Sequence, residues 1–112
     1  MKRGEVWWAA LEEPAGSEPG YRRPVVIVSS NEFNKSKINT ILVAIVTSNL
    51  RLANAPGNFL ISKKESGLSK ESVVNVSQVL TLDKSFLSKQ SGKLPVKKIT
   101  TLNEGLRLVL AI

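Results

Sequence analysis

Five stretches of the chain read as β-strands, each rich in β-branched or aromatic residues and bounded by turn formers: residues 5–11, 24–29, 40–47, 58–62 and 73–82. Across 40–47, Thr-Ile-Leu-Val-Ala-Ile-Val-Thr, apolar and polar positions do not alternate, so both faces of that strand need cover. It belongs near the middle of a small barrel or two-layer fold. Residues 73–82 differ: Val74, Val76, Leu80 and Leu82 fall on one face, interrupted by Gln78, which reads as a hydrogen-bonded buried amide. At the C-terminal end Ile99, Leu102, Leu106, Val109 and Leu110 recur at helical intervals, and this stripe is expected to pack on the sheet, with Gly105 weakening the helix slightly. Asp83 can cap a short helix through Lys89, stopped by Ser91-Gly92, and residues 31–37 allow one more turn. Many short strands, few helices and no βαβ alternation predict a single mainly β domain over residues 1–112, a small barrel with packed helices.

Composition narrows the chemistry. The 112 residues carry 16 Lys plus Arg against 9 Asp plus Glu, a formal charge of +7, and neither Cys nor His. A chain of this length buries about two-thirds of the surface it exposes when unfolded, enough for one core. Without thiols there is no disulfide framework, Cys nucleophile or Cys-based zinc site, and without imidazoles there is no His-dependent triad or paired-His ribonuclease chemistry. The positive balance favours a polyanionic partner, nucleic acid first. Most of the surplus lies late: seven basic residues face five acids up to residue 60, and nine face four beyond it. Those later lysines suit either a solvated surface or a face that tracks phosphates. Met1-Lys2-Arg3 is followed by only a short apolar run, and no stretch approaches the ~20 apolar residues a membrane span needs, so a soluble cytoplasmic protein is expected.

Candidate chemistry concentrates in two places. Between the first two strands runs a twelve-residue loop, 12–23, with three carboxylates (Glu12, Glu13, Glu18), Tyr21, Arg22 and Arg23. A connection this long between neighbouring strands suits either a mobile hairpin or one wall of an anion-binding groove, with Tyr21 stacking on a base and the arginines gripping phosphate. Pro24 holds Arg23 extended at the strand entrance, and a planar, permanently charged guanidinium suits charge developing on phosphate better than it suits base catalysis. The second place is Thr47-Ser48-Asn49, where an apolar strand runs out into three small hydrogen-bonding side chains. They fit an ordinary strand end and turn, or contacts to a phosphate oxygen and a ribose 2′-OH. Trp7 and Trp8 lie on opposite faces of the first strand, where core or interface roles suit both. One acidic loop without a second acidic cluster is a weak metal signal.

In order and spacing, Arg3-Gly4-Glu5-Val6-Trp7-Trp8, Gly16-Ser17-Glu18 leading to Arg23-Pro24-Val25-Val26-Ile27-Val28-Ser29, Asn31-Glu32-Phe33-Asn34, Val43 to Asn49, Gly67-Leu68, Ser72-Val73-Val74, Gln78 and Leu82-Asp83-Lys84 resemble the MazF/PemK toxins of bacterial toxin-antitoxin systems. The resemblance covers nearly the whole chain. It implies a small SH3-like β-barrel of the MazF/PemK/CcdB toxin type with a C-terminal helix, a homodimer, and a sequence-specific, metal-independent endoribonuclease, or mRNA interferase, without cofactors. The implied reaction is attack of the ribose 2′-OH on single-stranded RNA, leaving a 2′,3′-cyclic phosphate and a 5′-hydroxyl. By position the family's catalytic Arg falls on Arg23, its Thr on Thr47, and the loop Glu implicated in some members on Glu18, with Tyr21, Arg22, Ser48, Asn49 and Gln78 shaping the RNA groove. A cognate antitoxin whose acidic segment occupies that groove is implied as partner. Pro19, Tyr21-Arg22 and Phe86 depart from the family pattern, which bears on the RNA motif and leaves the catalytic pair intact. Two alternatives stand beside it: a non-enzymatic nucleic-acid-binding barrel, which needs the basic surface without the Arg23 and Thr47 pair, and a gyrase-poisoning toxin of related fold. The latter look to a Trp-containing C-terminal tail, whereas this chain ends in Leu110-Ala111-Ile112.

Overall fold

The computed structural model describes residues 1–11 and 21–112. Among these residues six strands, β1 (Glu5–Ala10), β2 (Arg22–Ile27), β3 (Thr40–Thr47), β4 (Phe59–Ile61), β5 (Ser72–Asp83) and β6 (Leu87–Lys93), form one antiparallel sheet ordered β4-β5-β3-β2-β1-β6. Three helices accompany them: α1 (Asn31–Lys35), α2 (Lys63–Ser66) and α3 (Val96–Leu110). The apolar run of β3 explains its inner place. Ala44 and Val46 join Val6, Val26, Val74, Leu102 and Leu106 in one core, while Ile41, Val43 and Ile45 join Ala9, Val25, Ile27, Leu82 and Leu87 in a second on the opposite face. Trp7 packs against the second core.

The two edge strands meet through a helix. Directly after edge strand β4, α2 packs on β6 at the far edge, so the sheet curls into a half-barrel. Ser91 donates from Oγ to the Ser66 carbonyl at 2.7 Å, and backbones touch here: a Cβ on Gly67, whose φ is +72°, would lie 1.8 Å from the Ser91 oxygen. Ser62 and Glu65 start α2 with a capping box. Arg3 is used structurally, its Nε donating to the Val28 carbonyl at 2.8 Å while burial lowers its pKa.

Three expectations change. Asp83 does cap a turn, accepting from the Ser85 amide at 2.9 Å, and hydrogen bonding to the Ser85 side chain and then to its amide holds the carboxyl below the usual range, but that turn is a 3₁₀ turn over Lys84–Phe86. From Leu87 the predicted helix is instead β6, because Leu87 is buried in the second core and β1 gains a ladder partner. Residues 73–82 do not keep one face: Asn75 pairs with Ile45 and Val79 with Ala44, so Val76, Ser77 and Gln78 bulge out. Three inserted residues reverse the alternation, which is why Val74 and Val76 sit in the first core and Leu82 in the second. Along α3, Ile99, Leu102 and Leu106 pack as expected, but Val109 and Leu110 stay 40% and 52% exposed. Among the described residues no helix is long and apolar enough to cross a membrane.

Candidate active site

The ladder between β2 and β3 runs from Ile27↔Val43 to Val25↔Ile45, and the same register carried two residues further sets Arg23 opposite Thr47. Alternation turns both side chains to the same side of the sheet. A groove of about 400 Å³ opens at this end of the two strands. Trp8 and residues 21–24 form one wall, Val46, Thr47 and Ser48 the floor, and Leu68, Ser69, Lys70 and Ser72 the opposite wall.

Arg23 is half-buried and held on two sides. One Nη donates to the Val46 carbonyl at 3.3 Å and the other to the Tyr21 hydroxyl, with the guanidinium carbon 5.7 Å from the Tyr21 ring centroid. A guanidinium has five N–H donors, so three remain beyond these two described bonds. Thr47 is also half-buried, and its Oγ1 accepts from the Asn49 amide at 3.2 Å. That leaves its hydroxyl hydrogen able to donate into the groove. Arg22 lies on the other face of β2 from Arg23, its guanidinium carbon 5.9 Å from the Trp8 ring centroid and its Nη2 donating to Ser88 Oγ at 2.8 Å. Arg22, Arg23 and Lys70 give the described lining three positive charges, and no carboxylate lies among them. Such a surface favours an extended polyanion, and Arg23 with Thr47 offers adjacent donors to one phosphate.

The structure therefore gathers Tyr21, Arg22, Arg23, Thr47 and Ser48 around one groove. It does not bring Asn49 or Gln78 there. The Asn49 side chain accepts from the Arg51 amide at 3.2 Å, capping the 3₁₀ turn at Leu50–Asn54. Gln78 is exposed, correcting the buried-amide expectation, and accepts from Asn75 Nδ2 at 2.8 Å within the β5 bulge. Glu12, Glu13 and Glu18 lie outside the described residues. Trp8, Ser69 and Lys70 line the groove without having been singled out for it; the signal was the hydroxyl-rich Ser69-Lys70-Glu71-Ser72 entering a strand. Among the described residues no three acidic side chains come together to hold a metal ion.

Comparison with known proteins shows the family and the fold. A family model described as PemK-like, MazF-like toxin of type II toxin-antitoxin system matches residues 2–110. Endoribonuclease MazF6 of Mycobacterium tuberculosis is 39% identical over 110 residues, spanning 98% of this chain and 96% of the relative. Endoribonuclease MazF of Staphylococcus saprophyticus is 36% identical over 112 residues, spanning 100% and 92%. Among solved structures, an endoribonuclease in complex with its cognate antitoxin from Mycobacterial species matches with a TM-score of 0.82 at 21% identity, covering 100% of this chain and 96% of that one. A MazE-MazF crystal structure from Deinococcus radiodurans matches with a TM-score of 0.78 at 23% identity, covering 100% and 96%.

Proposed function

The chain belongs to the PemK-like, MazF-like toxin family of type II toxin-antitoxin systems, and from this premise we infer that it is an endoribonuclease toxin that cleaves single-stranded RNA and is neutralised by a cognate antitoxin. The observation that carries the site assignment is that Arg23 and Thr47 line one groove whose described lining is cationic. In the proposed reaction the ribose 2′-OH attacks the adjacent phosphorus and the 5′-oxygen leaves, producing a 2′,3′-cyclic phosphate and a 5′-hydroxyl. Arg23 donates to the nonbridging oxygens as negative charge builds in the transition state, which is where fixed donors lower the barrier most. Thr47 holds the same phosphate with its hydroxyl. Tyr21 and Arg22 present flat faces for stacking bases, and Ser48 offers a hydrogen-bonding group beside them. Glu18, on the loop outside the described residues, completes the assigned catalytic set.

The proposal extends to assembly. The acidic segment of an antitoxin suits a cationic groove, since opposite potentials speed encounter and select partners. A homodimer fits the apolar side chains of Leu108, Val109, Leu110 and Ile112 that α3 and its end leave in solvent. We place this single domain in the cytoplasm, where its RNA substrate is.

Purified protein incubated with long single-stranded RNA in EDTA should cut it, with 5′-hydroxyl ends that polynucleotide kinase labels without prior phosphatase treatment. Intact RNA would favour the non-enzymatic binding barrel, and cleavage only with added Mg²⁺ would contradict the mechanism.

A further inference from the structure

The wall of the groove facing β2 is built by the segment between α2 and β5, and Lys70 is its charged member. Resting on the RNA-cleaving function above, we infer that Lys70 binds the RNA phosphate next to the scissile one, so that the groove grips the backbone at two points and Lys70 acts as a positioning residue.

The segment is fixed rather than loose. Leu68 packs against the first core, and its amide donates to Oγ of buried Ser66 at 3.1 Å. At the other end buried Ser72 donates from Oγ to the Lys70 carbonyl at 3.0 Å, and Val73 pairs with Thr47. Lys70 is thus presented three residues before the strand partner of Thr47. Arg23 stands on the other side of Thr47, and two strand spacings, about 9–10 Å, separate the β2 and β5 ends that carry the two cations. With Arg23 and Thr47 converging on one phosphate, the neighbouring phosphate is left for Lys70.

Other lysines are used differently. Lys84 Nζ donates to the Asn34 carbonyl at 2.8 Å, and Lys98 Nζ donates to the Leu60 carbonyl at 2.8 Å with Glu65 3.9 Å away. Both tie elements of the fold together. Lys70 is exposed in the groove, and among the described residues its ammonium has no carboxylate or carbonyl partner. A compact point charge of that kind holds a phosphate without demanding a base sequence.

The test uses an RNA oligonucleotide of the mapped cut-site sequence, 2′-O-methylated throughout so that no nucleophile remains. Its binding is followed by fluorescence anisotropy across a KCl series. Lys70→Gln should make the slope of log K against log[KCl] shallower by about 0.7, the loss of one phosphate contact on a single strand. Lys70→Arg should restore the slope, and Lys35→Gln, on α1 before the Thr40 end of β3, should leave it unchanged. Single-turnover cleavage of the unmodified RNA by Lys70→Gln should need more enzyme for half-saturation yet reach the wild-type rate. An unchanged salt slope would overturn the inference, and so would a reduced rate at saturation, which would put Lys70 on the scissile phosphate. Wild type that cuts RNA while Lys70→Gln titrates identically sinks Lys70 alone. Wild type that neither binds the oligonucleotide nor cuts its parent removes the RNA-cleaving function as well.

Discussion

Gly105 sits inside α3, where helix propensity alone says that Ala should stabilise the protein by about 1 kcal/mol. The packing says the reverse. A Cβ at Gly105 would lie 2.3 Å from the Gly57 carbonyl oxygen and 3.2 Å from its carbon, against an ordinary contact of 3.4 Å or more. Gly57 cannot readily yield, because it holds φ at +83° in the turn before β4 and faces the Gly105 carbonyl. Relief needs α3 to move out by about 1 Å, which also draws Leu102 and Leu106 from the first core, and forced overpacking of this kind costs about 1–3 kcal/mol. Sterics outweigh propensity. Gly105→Ala should therefore lower stability by up to about 2 kcal/mol, or the thermal midpoint by up to about 10 °C. Circular dichroism melts at matched protein concentration measure this, since self-association makes midpoints concentration-dependent. Glu104→Ala, an exposed neighbour on the same helix, should stay within about 0.5 kcal/mol of wild type. A midpoint raised by Gly105→Ala would refute the reasoning.

Two further outcomes concern stability. Asn58 donates from Nδ2 to the Leu52 carbonyl at 2.9 Å and accepts at Oδ1 from the amide of buried Val76 at 2.9 Å. Asn58→Ala strands that amide and should cost about 2 kcal/mol in urea unfolding; a change under 0.5 kcal/mol would mean that the bond contributes little. Burial raises the pKa of Glu5, but hydrogen bonds from the Lys2 amide at 2.9 Å and from Trp7 Nε1 at 3.0 Å, with the positive N-terminus and Lys2, leave it below its ordinary 4.5. A depressed carboxylate adds stability that is complete above the unfolded pKa and is lost as pH falls through the folded one. Wild type should thus lose stability more steeply than Glu5→Gln as pH drops below 4.5, and parallel pH profiles would contradict this.

The first five strands were legible because each carries β-branched or aromatic residues between turn formers, and the doubly apolar 40–47 announced its covered position. β6 was not, since Ser88-Lys89-Gln90-Ser91 shows no apolar alternation and becomes a strand only by pairing with β1. The β5 bulge escaped for a similar reason: Val76 looks in phase with Leu80 and Leu82 until three looped-out residues reverse the faces. At the site, Arg23 was marked by Pro24 and Thr47 by the end of an apolar strand, and antiparallel register brings them together. Asn49 and Gln78 serve as a cap and a bulge support, local roles that composition does not distinguish from ligand contacts. Lys70 looked like any surface lysine because its place in the groove depends on how the segment after α2 is pinned.

The central claim, that Arg23 and Thr47 carry RNA cleavage in this groove, is tested most directly by single-turnover cleavage of a mapped RNA in EDTA with wild type, Arg23→Ala and Thr47→Ala. Circular dichroism and sedimentation must match across the three. Loss of one preorganised charge-stabilising group costs about 10²–10³ in rate, so Arg23→Ala should fall by at least that factor at saturating enzyme, with Thr47→Ala likewise impaired. Wild-type rates from both folded variants would contradict the account.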